Sequence, residues 1–272
     1  MIIKRVLVVI FLLAIVRLHS QEISEAKKDS LRKILYQHTN EDSPGLALGI
    51  VKDGQVVYEN YLGLANLEHK INIDQNTRFS IASNAKQFTA LCILKLMEAG
   101  KVDLEDDIRK YLPDLYKSIP DRITIAQLIN HTSGTRDYGE LWGLQGRTWY
   151  EEFLNNKDVI ALLKGQTALN FKPGTDHLYS NTNYILLAEI VKKVSGQKFS
   201  TFAKALFEAL GMPGSSFQTN YMDIIPFLAR PYAKWNTWKE YPSISGLHAD
   251  GALFTTLRDQ LQWEQIVQNN NG

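Results

Sequence analysis

Ser83 and Lys86, three residues apart in Ser83-Asn84-Ala85-Lys86, are the residue types and spacing that make a serine nucleophile with its own built-in base. A serine hydroxyl attacks carbonyls poorly until something takes its proton. Residues three apart on a helix share a face, so the Lys86 amine can reach the Ser83 hydroxyl. A lysine amine has an ordinary pKa of about 10.4 and accepts that proton only where burial or another cation disfavours its charge. The pair therefore calls for a third group.

The Ser-x-x-Lys pattern occurs four times, at Ser24/Lys27, Ser30/Lys33, Ser83/Lys86 and Ser195/Lys198, and context separates the matches. Ser24 and Ser30 lie in a stretch thick with Lys and Glu that reads as the exposed face of a first amphipathic helix. Ser195 adjoins Gly196, a helix-ending signal. Only Ser83 follows a strand-like run, Arg78 to Ala82, and opens a long series of helix formers that stops at Gly100. At a helix start, free N–H groups and the positive end of the dipole favour the charge that develops on a carbonyl oxygen under attack.

A search for the third group finds Tyr179-Ser180-Asn181, which follows a Pro173-Gly174 turn and directly precedes a helical pattern. That placement presents the phenol from a loop. Tyr58-Glu59-Asn60 has the same letters but lies inside a hairpin ahead of the nucleophile, and reads as structural. His131 is a rival base, yet Asn130-His131-Thr132-Ser133-Gly134 reads as a helix-ending turn. His177 and His248 stand alone in polar loops, without Cys or carboxylates at ligand spacing, so neither a metal nor a cofactor is expected.

The elements that must carry these groups fall into two stretches. A helix at about 25–36 precedes a hairpin of Gly45–Val51 and Gln55–Tyr61 joined through Asp53-Gly54. From Ser83 the pattern turns helical, at 83–99, 104–111, 124–129, 156–163, 183–194 and 201–209, with a strand-like pair at 230–234 and 237–241. A two-stranded hairpin is marginal alone, and nothing after residue 242 plainly completes it. Tyr138, Trp142, Trp149 and Tyr150, with Trp235 and Trp238, read equally as cleft lining or as surface packing.

The 272-residue chain carries a formal charge of +1 and no basic patch or acidic tail, which argues against nucleic acid. Residues 1–20 have Lys4 and Arg5, then an apolar run from Val6 to Val16 too short to span a bilayer, and read as a secretory signal peptide. Its removal takes Arg17 as well and lowers the charge by three, to −2. The lone Cys92 sits mid-helix among apolar residues, so no intrachain disulfide forms. The expected setting is exported, periplasmic or secreted in a bacterium, with no stable membrane span after cleavage. Nothing specifies an oligomeric state.

Ser-x-x-Lys followed 96 residues later by Tyr-x-Asn resembles the serine β-lactamase and penicillin-binding-protein-like hydrolases, in their class C β-lactamase, DD-peptidase and esterase branch. Further segments are similar to that family: Ser83 to Ala90, Gly100 to Leu104 with Tyr111-Leu112-Pro113, Ile123 to Gly134, and Gly251 to Asp259. The likeness runs from about residue 40 to the end. It implies an α+β, β-lactamase/transpeptidase-like fold, with an antiparallel sheet flanked by helices plus a mostly helical region. After a signal at 1–20, residues 21–272 then form one domain, divided near residue 82.

The resemblance further implies acyl transfer through a covalent acyl-Ser83 ester, with Lys86 and Tyr179 sharing the proton and Asn181 holding Lys86 and the substrate amide. The substrate is a small molecule or peptide: a β-lactam, a D-alanyl peptide or a small ester. The alternative is a catalytically silent penicillin- or cell-wall-peptide-binding module. The family's third element, Lys/His-x-Gly on a strand, is not found after Asn181, because His248-Ala249-Asp250-Gly251 has one residue too many. It is expected beyond residue 272, with the remaining strands of the sheet, so the chain reads as C-terminally truncated; a genuine stop would imply an inactive fragment.

Overall fold

Asp53 and Gly54 both adopt positive φ, 52° and 71°, the pairing that a two-residue hairpin turn demands. They join β1 (Leu46–Lys52) to β2 (Gln55–Leu62) in antiparallel register from Lys52 opposite Gln55 to Leu46 opposite Leu62. The hairpin is the one expected from Asp-Gly. The computed structural model describes residues 23–148, 152–234, 236–241 and 244–269. Residues 1–20, expected to be a signal peptide, and Trp149, Tyr150 and Trp235 lie outside the described residues.

The described chain is an α+β fold that clusters into two compact units. The first comprises residues up to Thr77, Phe227–Tyr232 and those from Thr256 onward; the second comprises Arg78–Pro226 and Ala233–Thr255. In the first, α1 (Glu25–His38) precedes the hairpin, and β3 (Leu64–Asn66) pairs with β4 (Ile71–Asn72). The last helix, Leu257–Asn269, returns to this unit and covers the β1–β2 pair. Gln268 Oε1 accepts the Gly54 N–H at 3.0 Å and Gln265 Nε2 donates to the Gly54 carbonyl at 3.0 Å. The partner the hairpin lacked is thus a helix from the far end of the chain.

The second unit holds β5 (Phe79–Ser80), α2 (Lys86–Glu98), α3 (Ile125–Ile129), α4 (Tyr138–Leu144), α5 (Asn156–Lys164), α6 (Asn181–Ser195) and α7 (Phe199–Ala209). After α7 come β6 (Ser216–Phe217), the pair β7 (Tyr232–Lys234, whose first residue belongs to the first unit) and β8 (Trp238–Glu240), and β9 (Leu253–Thr255). Helix α6 has nine of its fifteen residues buried, with Ile185, Leu186, Leu187, Ile190 and Val191 fully so, and it packs on α2, α3 and α7. Each such side chain contributes about 1.5–3 kcal/mol by leaving water, which makes α6 the axis of this unit. Phe88 and Phe207, both buried, meet edge to face at 5.3 Å where α2 crosses α7.

The helix expected over 104–111 is a correction: only a 3-10 turn, Ile108–Lys110, forms there. Its backbone is engaged elsewhere, since Ile108 N–H donates to the Ile123 carbonyl, Ile125 to Asp106 and Ala126 to Leu104. Once those groups pair with a neighbouring segment they are lost to an i→i−4 ladder. Conversely α4, whose two glycines disguise its pattern, was not expected.

Candidate active site

Strand β5 pairs with β9, and Ile81 continues the pairing by donating its N–H to the Leu253 carbonyl at 3.0 Å. Ala82 then takes a left-handed φ of 46°, a conformation that costs a non-glycine residue energy, and the chain turns sharply. A 3-10 turn over Ala82–Ala85 hands Ser83 to the head of α2, where buried Phe88, Cys92, Ile93 and Leu96 anchor the helix. Lys86 is 6% exposed. Its Nζ donates to Ser83 Oγ at 3.1 Å, to Asn181 Oδ1 at 2.9 Å and to the Asp250 carbonyl at 2.6 Å. Three acceptors match the three donors of an ammonium and fix its direction.

Tyr179 Oη donates to the same Ser83 Oγ at 2.8 Å, and Lys86 Nζ sits 4.9 Å from the Tyr179 ring centroid. The structure therefore brings together all four residues singled out from the sequence: Ser83, Lys86, Tyr179 and Asn181. Lys86 is buried, whereas the Tyr179 side is 47% exposed. The nucleophile is reached from the phenol side.

Asn181 opens α6, whose N-cap residue Ser180 makes no side-chain cap. The cap comes from Asp137 instead, whose Oδ2 accepts the Asn181 N–H at 2.6 Å while its Oδ1 caps α4 through the Gly139 N–H at 2.8 Å. Thr182 Oγ1 in turn accepts the Tyr138 N–H at 2.8 Å. One carboxylate and one hydroxyl thus lock two helix starts together, each satisfying donors that would otherwise be orphaned.

The third wall is the run His248 to Ala252 leading into β9. Ala249 and Ala252 both have positive φ, 84° and 55°, so the loop holds a strained shape. Thr89 Oγ1 donates to the Ala249 carbonyl at 2.7 Å, and Tyr138 Oη donates to Asp250 Oδ2 at 2.6 Å. Complete burial raises the Asp250 carboxyl above the usual carboxylate range, with Tyr138 and Lys86 opposing the shift. Burial and then the Asp250 charge hold the Tyr138 phenol well above its ordinary value, so Tyr138 stays a donor. These clamps present the Asp250 carbonyl to Lys86.

His131 does not stand free as a base. Its Nδ1 accepts the Ser180 N–H at 3.1 Å, and burial, then the Lys86 charge, lowers its pKa to about 4. His248 Nδ1 lies 2.9 Å from the Gly246 carbonyl, and burial lowers its pKa as well. Among the described residues no group of His, Cys, Asp and Glu is placed to hold a metal ion, and no helix is long and apolar enough to cross a membrane. Burial pushes the Cys92 thiol up to about 12, which leaves it unreactive. Tyr138 and Trp142 are core residues, not cleft lining. Sequence reading missed Asp137 and Asp250, and took Tyr138 for cleft lining or surface packing and not for the partner of Asp250; the one visible sign was an N-cap type, Asp137, ahead of an unrecognised helix.

An α+β chain that sets a Ser-x-x-Lys turn against a Tyr-x-Asn helix start stands among the serine β-lactamase and penicillin-binding-protein-like proteins. A sequence model described as Beta-lactamase matches residues 31–272, and the chain belongs to that family. It is 32% identical over 245 residues to Protein flp of Staphylococcus aureus (strain COL), covering 84% of this chain and 48% of that one. Against Penicillin-binding protein 4* of Bacillus subtilis (strain 168) the identity is 35% over 163 residues, covering 58% and 35%. The chain spans less than half the length of either relative. The structure of the octameric penicillin-binding protein homologue from Pyrococcus abyssi superposes with a TM-score of 0.76 at 27% identity, over 92% of this chain and 57% of that one.

Proposed function

We propose that this chain is an exported serine hydrolase that transfers an acyl group through a covalent Ser83 ester, from a β-lactam, a D-alanyl peptide or a small ester. One observation carries the reading: Ser83 Oγ lies within hydrogen-bond distance of both Lys86 Nζ and Tyr179 Oη. In its reactive form the Lys86–Tyr179 pair holds one proton fewer than the ammonium and phenol together, and Ser83 Oγ bonds to the substrate carbonyl carbon while its proton passes into that vacancy. The two share one hydroxyl, so they act as a coupled acid–base unit and not as separate sites. As the tetrahedral intermediate collapses, the carbon–nitrogen or carbon–oxygen bond to the leaving group breaks, and Tyr179 returns the proton to the departing amine or alkoxide. Water then attacks the ester, giving its proton to the same pair, and Ser83 is regenerated with the free acid.

Asn181 holds Lys86 and offers its amide N–H to a substrate carbonyl, and the Ser83 N–H serves as an oxyanion donor. Loss of one such donor typically costs about 2.7–4 kcal/mol of transition-state stabilisation. The apolar leader at residues 6–16 supports export. A relative named for penicillin binding makes penicillin the first probe. Mass spectrometry after incubation with a penicillin or an activated ester is expected to show a single acyl adduct on the peptide containing Ser83. An adduct that persists in Ser83→Ala would overturn the reading.

A further inference from the structure

We propose that His131 is the positioning residue for Tyr179, gripping the chain on both sides of the phenol so that its hydroxyl stays on Ser83. The proposal rests on the reading of Ser83, Lys86 and Tyr179 as the reacting groups. Three consecutive residues are held by one. The His131 carbonyl accepts the Leu178 N–H at 3.0 Å, and its ring Nδ1 accepts the Ser180 N–H at 3.1 Å. Between them, the Tyr179 ring stacks on the imidazole with centroids 4.5 Å apart and planes 30° from parallel. The Tyr184 ring backs the imidazole at 5.3 Å, and its own hydroxyl donates to the Ile129 carbonyl at the end of α3.

An exposed tyrosine on a loop would otherwise turn about its side-chain bonds, and each immobilised rotamer costs free energy that some contact must offset. The imidazole face supplies that contact. The residue type follows from the backbone: His131 has φ of 58°, the left-handed region in which Asn, Asp and His are enriched among side-chain-bearing residues. Of those, only His combines an acceptor for Ser180 with a flat face for Tyr179.

The protonation state is set by the same contacts. Asn183 Oδ1 accepts from Ser133 Oγ at 2.7 Å and from Thr135 Oγ1 at 2.6 Å, which turns its Nδ2 toward His131 Nδ1 at 3.2 Å. Two donors therefore face Nδ1, so the ring is neutral with its proton on Nε2. Burial, Lys86 from α2 and His177 from the adjoining loop disfavour a charged ring, and Asp137 ahead of α4 opposes them, which leaves the pKa at about 4. Protonation would set a third donor against Ser180 and Asn183 and release the loop. The grip is expected to hold at neutral pH and to fail as pH falls through about 4.

The test compares the full chain with His131→Asn and His131→Gly, both of which tolerate the left-handed backbone. Asn keeps an acceptor near the Nδ1 position and loses the ring; Gly loses both. With an activated ester, acylation and deacylation are expected to slow in Gly by about 10- to 100-fold, the scale of a reacting group displaced by about 1 Å, with Asn intermediate. The acid limb of the wild-type acylation rate near pH 4 is expected to be missing from His131→Asn. Nitrogen-15 NMR of histidine-labelled wild type is expected to show the Nε2–H tautomer, and a crystal structure of His131→Gly to show Tyr179 Oη off Ser83 Oγ. Equal rates in all three proteins, an Nδ1–H tautomer, or an unmoved Tyr179 in the glycine variant would overturn the proposal. A wild type that forms no Ser83 adduct would instead overturn the functional reading, and the NMR and the crystal structure would still decide the role of His131.

Discussion

At the residue scale the site is built around the direction of one amine. Lys86 has its three protons aimed at Ser83, Asn181 and the Asp250 carbonyl, and each acceptor is held by a different part of the chain. Asp250 is the most exposed to failure, because its loop is strained at Ala249 and Ala252 and its buried carboxyl depends on Tyr138. Removing the donor while leaving the buried acceptor is the costly half of a hydrogen bond. Tyr138→Phe is therefore expected to lower unfolding free energy by about 1–3 kcal/mol in urea titrations. Asp250→Asn, which keeps an acceptor and removes the charge, is expected to make the Tyr138→Phe change cheaper, and strictly additive effects in the double variant would disprove the pairing.

At the scale of elements, α6, which brings Asn181 to the site, and α4, which brings the Tyr138 clamp, are both started by a carboxylate outside them. Asp137 caps α4 and α6 at once, and a lost cap costs about 0.5–2 kcal/mol per helix. Asp137→Ala is expected to cost about 2 kcal/mol in thermal unfolding, and Asp137→Asn distinctly less, since the amide oxygen still accepts. A cost for alanine no larger than for an exposed loop carboxylate would mean that the caps carry no weight. This bridge also marks the limit of what could be read from the residues. Ser83, Lys86, Tyr179 and Asn181 were legible because their spacing and their helix-start settings are local. The α6 start was expected at Asn183 and lies at Asn181, because its cap comes from 44 residues upstream. The segment 104–111 was misread for the same kind of reason: its backbone donors and acceptors are taken by 123–126, which no window on the segment itself reveals.

At the scale of the whole chain, the first unit is assembled from sequence ends that lie about two hundred residues apart. Local pattern gave the β1–β2 hairpin through Asp53-Gly54, but not its cover, because the apolar residues of Leu257–Asn269 are sparse and their partner is remote. The fit is set by Gly49: a Cβ there would lie 2.6 Å from Leu261 Cδ2, so the helix sits directly on the strand backbone at that point. Leu261 is buried, and its truncation removes the side chain that fills the contact. Leu261→Ala is expected to cost about 2–5 kcal/mol. Because stability is distributed by cooperative unit, the loss belongs to the hairpin: native-state hydrogen exchange is expected to accelerate for amides in Leu46–Leu62 while those of α2 and α6 keep their protection. Gly49→Ala reaches the same contact from the strand side and is expected to accelerate the same amides. Uniform acceleration across both units would show that they unfold as one and that the helix does not stabilise the hairpin separately.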